Sequence, residues 1–194
     1  PELALIYEKI SKSLTGTNPI LISAGVKTGL NIKCESPKDV GSDRIIRAVG
    51  AKEFDDNLII ISASSITTID FINNKNEFRG GIIFPGIDLY AKSLYQESAK
   101  LPQVEIEKTK EVLGNNTKNA MKSGIYHSYN FAISGMVEKI IDQYFLDINN
   151  LSIIITGSHA NLIENNKYNF KNIPNLGLYG LKNIFEINKE KLQK

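Results

Sequence analysis

The sequence predicts an α/β protein built around three consecutive antiparallel strands. Residues 58–61 form a continuous apolar run and residues 66–72 are rich in β-branched side chains, and both patterns are typical of strands. A third strand is predicted over 77–84, after a turn rich in asparagine. Gly80 and Gly81 interrupt it, which indicates a bulge or a close approach of another backbone.

The turn between the first two of these strands is rich in Ser and Thr. A strand, such a turn and a hairpin are typical of the start of a ribonuclease-H-like domain, in which the first turn wraps a nucleotide phosphate with backbone N–H groups. An ordinary β-meander gives the same pattern, so both interpretations stay open at this point. Pro85 and Gly86 end the third strand and predict a helix over 87–99.

The N-terminal residues 1–14 predict an amphipathic helix with Pro1 in its first turn and Gly16 after its end. Its apolar residues share one face: Leu3, Leu5, Ile6, Ile10 and Leu14. Two short strands are predicted over 19–23 and 30–34. This segment is too small to bury an adequate core alone, so we expect it to pack against other parts of the protein.

A second helix is predicted to end near Ala51, with Ser42 as its N-cap and an inner face of Ile45, Ile46 and Val49. Asp43, in its first turn, has two interpretations. It is either an acidic residue that complements the helix dipole, or it projects with Arg44 into a cleft. In the cleft, Asp43 would accept a proton and Arg44 would hold an anion.

The longest predicted helix covers 118–145 and follows a turn at 114–117. Gly124 and Gly135 lie inside it and predict close packing against another backbone, such as that of a symmetry mate. The other predicted elements are a surface crossing over 103–110, a buried strand over 151–156, a helix beginning over 160–164, and a last helix that follows 176–181 and ends near Asn188.

Composition excludes several classes of function. The chain has 194 residues, of which 42% are hydrophobic, and 23 basic residues against 21 acidic ones leave a net charge of +2. Because these charges are spread along the chain, we expect no nucleic-acid partner. No segment approaches the roughly 20 apolar residues of a membrane span, so we expect no membrane partner. The single cysteine and the lack of a signal peptide fit a reducing cytoplasm best.

The histidines and serines do not predict metal or hydrolase chemistry. His127 and His159 are far apart and have no Cys or acidic residue at ligand spacing, so no protein metal site is expected. There is also no Ser-His-Asp order and no Gly-x-Ser-x-Gly elbow.

Seven short motifs occur in order along the chain: Gly41-Ser42-Asp43-Arg44, Thr67-Thr68-Ile69-Asp70, Gly80-Gly81-Ile82-Ile83-Phe84-Pro85-Gly86, Leu101-Pro102, Asn116-Thr117, Ser123-Gly124-Ile125 and Thr156-Gly157. In order and spacing, this series resembles a type III pantothenate kinase over the whole chain. The resemblance implies an actin-like, sugar-kinase-like fold of two ribonuclease-H-like halves. It also implies a homodimer that transfers the γ-phosphoryl group of ATP to pantothenate, the first step of coenzyme A biosynthesis.

Placed on that fold, residues 1–52 match the C-terminal part of the first ribonuclease-H-like domain and residues 53–194 match the complete second one. The family begins with a strand and an Asp-x-Gly-Asn-Thr-type phosphate loop, and this sequence contains neither. The first half is therefore expected to be incomplete in this chain. The resemblance also implies a monovalent cation, K⁺ or NH₄⁺, together with Mg²⁺ that arrives with ATP.

The resemblance assigns roles residue by residue. Asp43 matches the family's proton acceptor, and Cys34 replaces a substrate-lining tyrosine. The substrate-binding positions are Gly41, Ser42, Asp43, Arg44, Thr117 and Cys34. Phosphoryl transfer needs mainly positioning and charge neutralisation, with a carboxylate that orients the attacking hydroxyl. Arg44, a fixed cation with several donors, suits the substrate carboxylate or the moving phosphoryl group.

The residues that match the family's nucleotide-binding positions depart more from the family pattern than the substrate-binding residues do. Ser62 replaces the aspartate that binds the monovalent cation, and Ser65 replaces a nucleotide-contacting threonine. Gly157, followed by Ser158, matches the first of two paired glycines that contact the nucleotide. We therefore expect weak ATP affinity and little stimulation by potassium.

Three hypotheses follow from the sequence. The chain is a pantothenate kinase, a catalytically weak paralogue or regulatory subunit that binds pantothenate-like ligands, or an actin-like scaffold without small-molecule chemistry. The scaffold is the least favoured, because it gives no reason for Asp43, Arg44 and Thr117 to occur together.

Overall fold

The computed structural model describes residues 2–22, 25–164 and 167–189, and one mixed sheet organises them. Its six strands are β1 (Asn31–Ile32), β2 (Leu58–Ala63), β3 (Ile66–Ile72), β4 (Glu77–Pro85), β5 (Ser152–Thr156) and β6 (Phe170–Asn172). They lie in the order β1-β4-β3-β2-β5-β6. Pro1 and Ser23, which take part in two of the predicted elements, lie outside the described residues.

Strand directions decide between the two interpretations of the three-strand segment. β3 is antiparallel to β2 and β4, as predicted. β2 also pairs in parallel with β5, and β5 with β6, so the segment is the start of a mixed sheet and not an isolated meander. The α/β class and the ribonuclease-H-like strand order are thereby confirmed. The strand pairing shifts between Asp70 and Ile72, opposite Gly80 with its φ of 103°, which is the predicted bulge.

Helices cover both faces of the sheet. They are α2 (Ser42–Ala51), α3 (Ile87–Glu97), α4 (Thr117–Tyr144) and α5 (Leu176–Asn188), whereas the N-terminal helix α1 (Glu2–Thr15) contributes no described residue to either core cluster. Ile59 and Ile61 of β2 belong to a core cluster with α4, whereas Leu58 and Ile60 belong to a second cluster with α2 and α5. Because successive side chains of a strand point to opposite faces, α4 and α2 lie on opposite sides of the sheet.

Close contacts fix the helices against the core. The hydroxyl groups of Thr67 on β3 and Tyr129 on α4 form a buried hydrogen bond of 2.6 Å. On the other face, a Cβ added at Gly180 of α5 would overlap the carbonyl oxygen of Ile46 on α2. The absence of a side chain at Gly180 therefore lets the two backbones meet.

Several sequence-based boundaries are wrong. Residues 19–22 form no strand, and the helix expected from 160 is only a 3-10 turn over Ala160–Leu162. Asn130 of α4 explains this turn, since its side-chain amide donates to Leu162 O at 3.1 Å and accepts from Glu164 N at 2.7 Å. These bonds hold the backbone out of helical geometry. The short strand β6 was not predicted, and α5 already begins at Leu176.

The apolar face of α1 is not covered by the described part of the chain. The helix forms as predicted, yet Leu3, Leu5, Ile6, Ile10 and Leu14 are all exposed, Leu14 by 80%. In the described residues, no helix is both long enough and apolar enough to cross a membrane.

Candidate active site

The first turn of α2 carries the predicted substrate-binding motif. Gly41 is the N-cap, and its carbonyl oxygen accepts hydrogen bonds from the backbone N–H groups of Arg44 at 3.0 Å and Ile45 at 3.3 Å. Ser42 is thus the first helical residue, and its prediction as N-cap is wrong. A Cβ added at Gly41 would lie 2.7 Å from Oδ1 of Asp43, so a residue without a side chain leaves room for this carboxylate.

Asp43 pairs with Arg47, one turn further along the same helix. Nη2 of Arg47 donates to Oδ2 of Asp43 at 2.6 Å, and the side chain of Asp43 is 66% exposed, whereas that of Arg47 is only 17% exposed. Oδ1 of Asp43 accepts no hydrogen bond from the described residues. The carboxylate is therefore held through one oxygen and presents the other.

The pair between Asp43 and Arg47 is not explained by stability. Nε of Arg47 is buried without a hydrogen-bond partner among the described residues. An exposed pair at this helical spacing contributes about 0.3–0.5 kcal/mol. Leaving a buried donor unsatisfied costs about 1–3 kcal/mol. The cost of the unsatisfied Nε exceeds the gain from the ion pair, so this pair does not add net stability to the fold.

Arg44 points away from Asp43 and into the sheet. Its Nε donates to Oδ1 of Asp70 at 2.9 Å, and its Nη2 donates to the same oxygen. Its guanidinium carbon also lies 5.4 Å from the centre of the Phe78 ring, which adds a cation–π contact. The Arg44 side chain is 12% exposed and that of Asp70 is 1% exposed. The Nη1 group of Arg44 forms no hydrogen bond with the described residues, so this edge remains for an anion.

Asp70 is a carboxylate enclosed in the sheet. Burial raises its pKa, while the hydrogen bond and charge of Arg44, the charge of Arg47 and the hydroxyl of Thr68 act in the opposite direction. Gly81 lies opposite Asp70 on β4, and a Cβ there would overlap Oδ1 of Asp70 and approach Nη2 of Arg44 to 2.6 Å. The pair of Arg44 and Asp70 thus depends on a glycine in the neighbouring strand.

The predicted cation position, Ser62, lies on the same face of the sheet. It is paired across the strands with Thr68 on one side and Thr156 on the other, and all three residues are buried. These positions supply hydroxyl groups only. The nearby carboxylate in the sheet, Asp70, is already engaged by Arg44. Among the described residues, no group of three or more His, Cys, Asp or Glu is arranged to hold a metal ion.

The predicted nucleotide residues converge at the end of β2. Gly157 has a φ of 103°, and a Cβ there would overlap the carbonyl oxygen of Ala63 and lie 2.8 Å from Oγ of Ser64. Next to Ser64, the carbonyl oxygen of Ser65 accepts a hydrogen bond from Gly86 N at 3.1 Å. The loop after β5 and the turn after β2 therefore meet, which brings Gly157 to within one residue of Ser65.

The last two predicted substrate positions lie in different places. Cys34 is half-buried near β4, and a Cβ at Gly80 would be 3.8 Å from its sulfur, one residue from the glycine that packs on Arg44. Thr117 is exposed at the start of α4, where it lines a cavity of about 600 Å³. Since α4 and α2 lie on opposite faces of the sheet, one chain does not bring Thr117 and Asp43 together.

Two residues of this site were missed by the sequence reasoning. Asp70 was noted only as part of a motif, although an acidic residue inside a strand of apolar neighbours indicates a buried carboxylate that needs a partner. Arg47 was not noted at all. Its place four residues after Asp43 on a predicted helix was the available signal.

Comparisons with known proteins show the family to which the sequence is similar. A sequence model of the family described as type III pantothenate kinase matches residues 1–139. A type III pantothenate kinase of an Exiguobacterium species is 36% identical over 192 residues, which cover 98% of this chain and 74% of that relative. The enzyme of the same name from Geobacter sulfurreducens is 34% identical over 193 residues, with the same coverage.

A solved structure adds a likeness of fold. It is that of a conserved putative Baf family transcriptional activator from Campylobacter jejuni, with a TM-score of 0.56 and 22% identity, covering 79% of this chain and 67% of that one. The family match covers most of the chain and the curated relatives share more than a third of its residues. The chain therefore belongs to the type III pantothenate kinase family.

Proposed function

We propose that this protein transfers the γ-phosphoryl group of ATP to the primary hydroxyl of pantothenate, giving 4′-phosphopantothenate, the first step of coenzyme A biosynthesis. Membership of the type III pantothenate kinase family supports the reaction. The single observation that carries the site is the carboxylate of Asp43, which Arg47 holds through Oδ2 in the first turn of α2 and which is 66% exposed.

Asp43 is the proposed proton acceptor. Its Oδ1 takes the proton of the pantothenate hydroxyl while the hydroxyl oxygen forms a bond to the γ-phosphorus of ATP. The bond from that phosphorus to the β,γ-bridging oxygen breaks, and ADP leaves with its electron pair. The proton on Asp43 then passes to solvent. The free Nη1 edge of Arg44 is the proposed contact for the carboxylate of pantothenate or for the transferred group.

ATP is proposed to bind where Gly157 and Ser65 meet at the end of β2. The backbone N–H groups of such tight loops can bind phosphate oxygens. Mg²⁺ is expected to be held mainly by the phosphates of ATP, as is usual for this ion. The described residues around Ser62 fit a monovalent cation poorly, since the nearby carboxylate, Asp70, is paired with Arg44. We therefore expect turnover to differ little between potassium and sodium buffers, and a strong potassium dependence would contradict this.

A homodimer through α4 is also part of the proposal. Phe131 is 69% exposed on α4, and Gly124 and Gly135 on either side of it have open space around them. These residues, with Ser128, recur every three or four positions and so form one stripe on the helix. A second chain packed on this stripe would also explain how Thr117 could take part in a site that contains Asp43.

We keep two further expectations as proposals. The boundary between residues 1–52 and 53–194 divides two ribonuclease-H-like domains, and the enzyme works in the cytoplasm. The family's role in an intracellular biosynthetic step supports the second expectation.

The reaction can be tested directly. Purified protein is incubated with ATP, Mg²⁺ and pantothenate, ADP release is followed, and the product is identified as 4′-phosphopantothenate by mass spectrometry. We expect ADP release to depend on pantothenate. The matched control omits pantothenate and measures ATP hydrolysis alone. Equal ADP release with and without pantothenate, or no phosphorylated product, would contradict the proposed function.

A further inference from the structure

We propose that Arg47 is a positioning residue that holds the Asp43 carboxylate in the orientation needed for proton transfer, so that Oδ1 faces the substrate hydroxyl. The inference rests on the proposed function, because it assigns a role to Arg47 through Asp43. Arg47 itself need not touch either substrate.

The first argument is geometric. Nη2 of Arg47 donates to Oδ2 of Asp43 at 2.6 Å, and this is the only hydrogen bond of the Arg47 side chain within the described residues. The other oxygen, Oδ1, lies in the space left by Gly41, where a Cβ would come within 2.7 Å of it. The hydrogen bond to Oδ2 limits rotation of the carboxylate, while the missing side chain at Gly41 leaves Oδ1 open to a substrate hydroxyl. Fixed reacting groups are worth large factors in rate.

The second argument concerns Arg47. Its side chain is mostly buried, its Nε has no partner among the described residues, and its partner Asp43 lies largely in solvent. A guanidinium placed only for stability would be expected to satisfy its buried donor. Packing of the arginine stem keeps Nη2 at a fixed point at the start of α2, and the unsatisfied donor is the cost of that placement. Polar groups left in unfavourable surroundings often occur at functional sites.

The third argument concerns charge. The positive charge of Arg47 also interacts with Asp70, so its guanidinium interacts with both carboxylates of the site. Arg44 forms direct hydrogen bonds with Asp70, whereas Arg47 donates its hydrogen bond to Asp43. The two arginines of α2 thereby keep the two carboxylates in separate pairs. Without Arg47, Arg44 would be the remaining arginine of α2, and a shift of Arg44 towards Asp43 would disturb the anion site.

The test compares Arg47→Ala and Arg47→Lys with the wild-type protein in the pantothenate assay. We expect Arg47→Ala to lower kcat by about 10- to 100-fold with the KM for ATP and pantothenate nearly unchanged, since misplacing a reacting group acts on the chemical step. Arg47→Lys should recover most of the loss because an ammonium group can still pair with Asp43 at this spacing. The melting temperature of both variants is measured beside kcat, because Arg47→Ala also removes the packed stem of the arginine whereas Arg47→Lys keeps most of it.

The chain offers a matched control at the other end of the same helix. Lys52 donates to Asp56 at 2.6 Å, also with a spacing of four residues, and the two side chains are 18% and 76% exposed. Lys52→Ala removes a pair of the same sequence spacing and similar exposure away from the site. We expect it to leave kcat unchanged.

A double variant separates the possible outcomes. In the Asp43→Asn background, Arg47→Ala should lower kcat no further, because the group that it positions is already lost. An equal loss in both backgrounds, a raised KM with unchanged kcat, or no recovery of kcat in Arg47→Lys would overturn the positioning role. If Asp43→Asn alone leaves kcat unchanged, or if the wild-type protein forms no phosphopantothenate, the proposed function fails and not only this inference.

Discussion

Asp43 and Thr117, which the family motifs assign to one substrate site, are carried by helices on opposite faces of the sheet. In the proposed homodimer, the second copy would supply Thr117 to the site that contains Asp43. We predict that Asp43→Asn and Thr117→Ala, each nearly inactive alone, regain activity when the two chains are unfolded together and refolded.

The expected recovery is about a quarter of the wild-type turnover, because about half of the dimers are mixed and each mixed dimer has one intact site. The measurement is ADP release that depends on pantothenate. Two Asp43→Asn samples treated in the same way serve as the control. A mixture no more active than the sum of its components would show that Thr117 and Asp43 do not share a site.

Asp43→Asn should separate catalysis from stability. The side chain is 66% exposed and its pair with Arg47 lies at the surface of α2, so the loss of stability should be about 0.5 kcal/mol or less. Turnover should fall by at least about 100-fold, as for the loss of a general base. Thermal unfolding and coupled ADP release measure the two effects. Asp56→Asn is the control, and near-wild-type turnover of Asp43→Asn would remove Asp43 from the chemistry.

The stripe on α4 predicts how the dimer can be broken. Phe131 is 69% exposed between two glycines, so Phe131→Glu places a charge in the centre of the proposed interface. We expect the variant to sediment as a monomer at micromolar concentration while the wild-type protein sediments as a dimer. Leu178→Glu, on α5 and 63% exposed, should leave the dimer intact. A wild-type monomer in the same experiment would contradict the dimer itself.

Gly81→Ala should damage the pair of Arg44 and Asp70 without changing either residue. The added methyl group would overlap Oδ1 of Asp70 and lie 2.6 Å from Nη2 of Arg44. We expect a loss of about 1–3 kcal/mol in unfolding free energy, as for overpacking, together with a raised KM for pantothenate. Gly177→Ala is the control, since its Cβ would meet only a methyl carbon of Ile46 at 3.9 Å. Unchanged stability of Gly81→Ala would mean that the strands can move apart at Gly81 and accommodate the methyl group, against this prediction.

The stability of the protein should depend on pH through Asp55. The hydroxyl of Ser152 donates to its carboxylate at 2.5 Å, and this bond, followed by that from the backbone N–H of Asp56, lowers its pKa. Because the pKa is lower in the folded state, ionised Asp55 contributes stability above its unfolded pKa of about 4, and this contribution is lost as the pH falls through the folded value.

Asp55→Asn should therefore lower the urea midpoint at neutral pH and weaken the fall of that midpoint as the pH drops below about 4. Ser152→Ala should have the same effect in part, since it removes the largest cause of the shift. Ser93→Ala removes a hydroxyl that bonds to the carbonyl of Tyr90 and should change neither quantity. An unchanged pH profile in Asp55→Asn would show that this carboxylate does not govern acid unfolding.

The sequence predicted the central strands and the longest helix because their signals are local. The apolar run of β2 and the glycines of β4 act within a few residues, and the structure has both elements where they were expected. The errors have distant causes. The side chain of Asn130, more than 30 residues away, forms hydrogen bonds with the backbone of Leu162 and Glu164. No local sequence pattern contains these contacts.

The site divides in the same way. The first turn of α2 was predicted from its motif, but the partner of each side chain was not. Asp43 and Arg44 are adjacent in sequence, yet one pairs along the helix with Arg47 and the other pairs across the core with Asp70. Neighbours in a helix point in directions about 100° apart, so adjacency in sequence does not predict a shared target.

The parallel pairing of β2 with β5 has a consequence for how the protein is made. Leu58 pairs with Ser152 in the centre of the sheet, so the two strands meet only after the chain between them has been synthesised. The hairpins of β2, β3 and β4 can form early from local contacts, whereas closing this long loop costs entropy and slows folding. During translation, the edge of β2 would stay unpaired until β5 has been synthesised. In that interval, a ribosome-bound chain should be most dependent on chaperones.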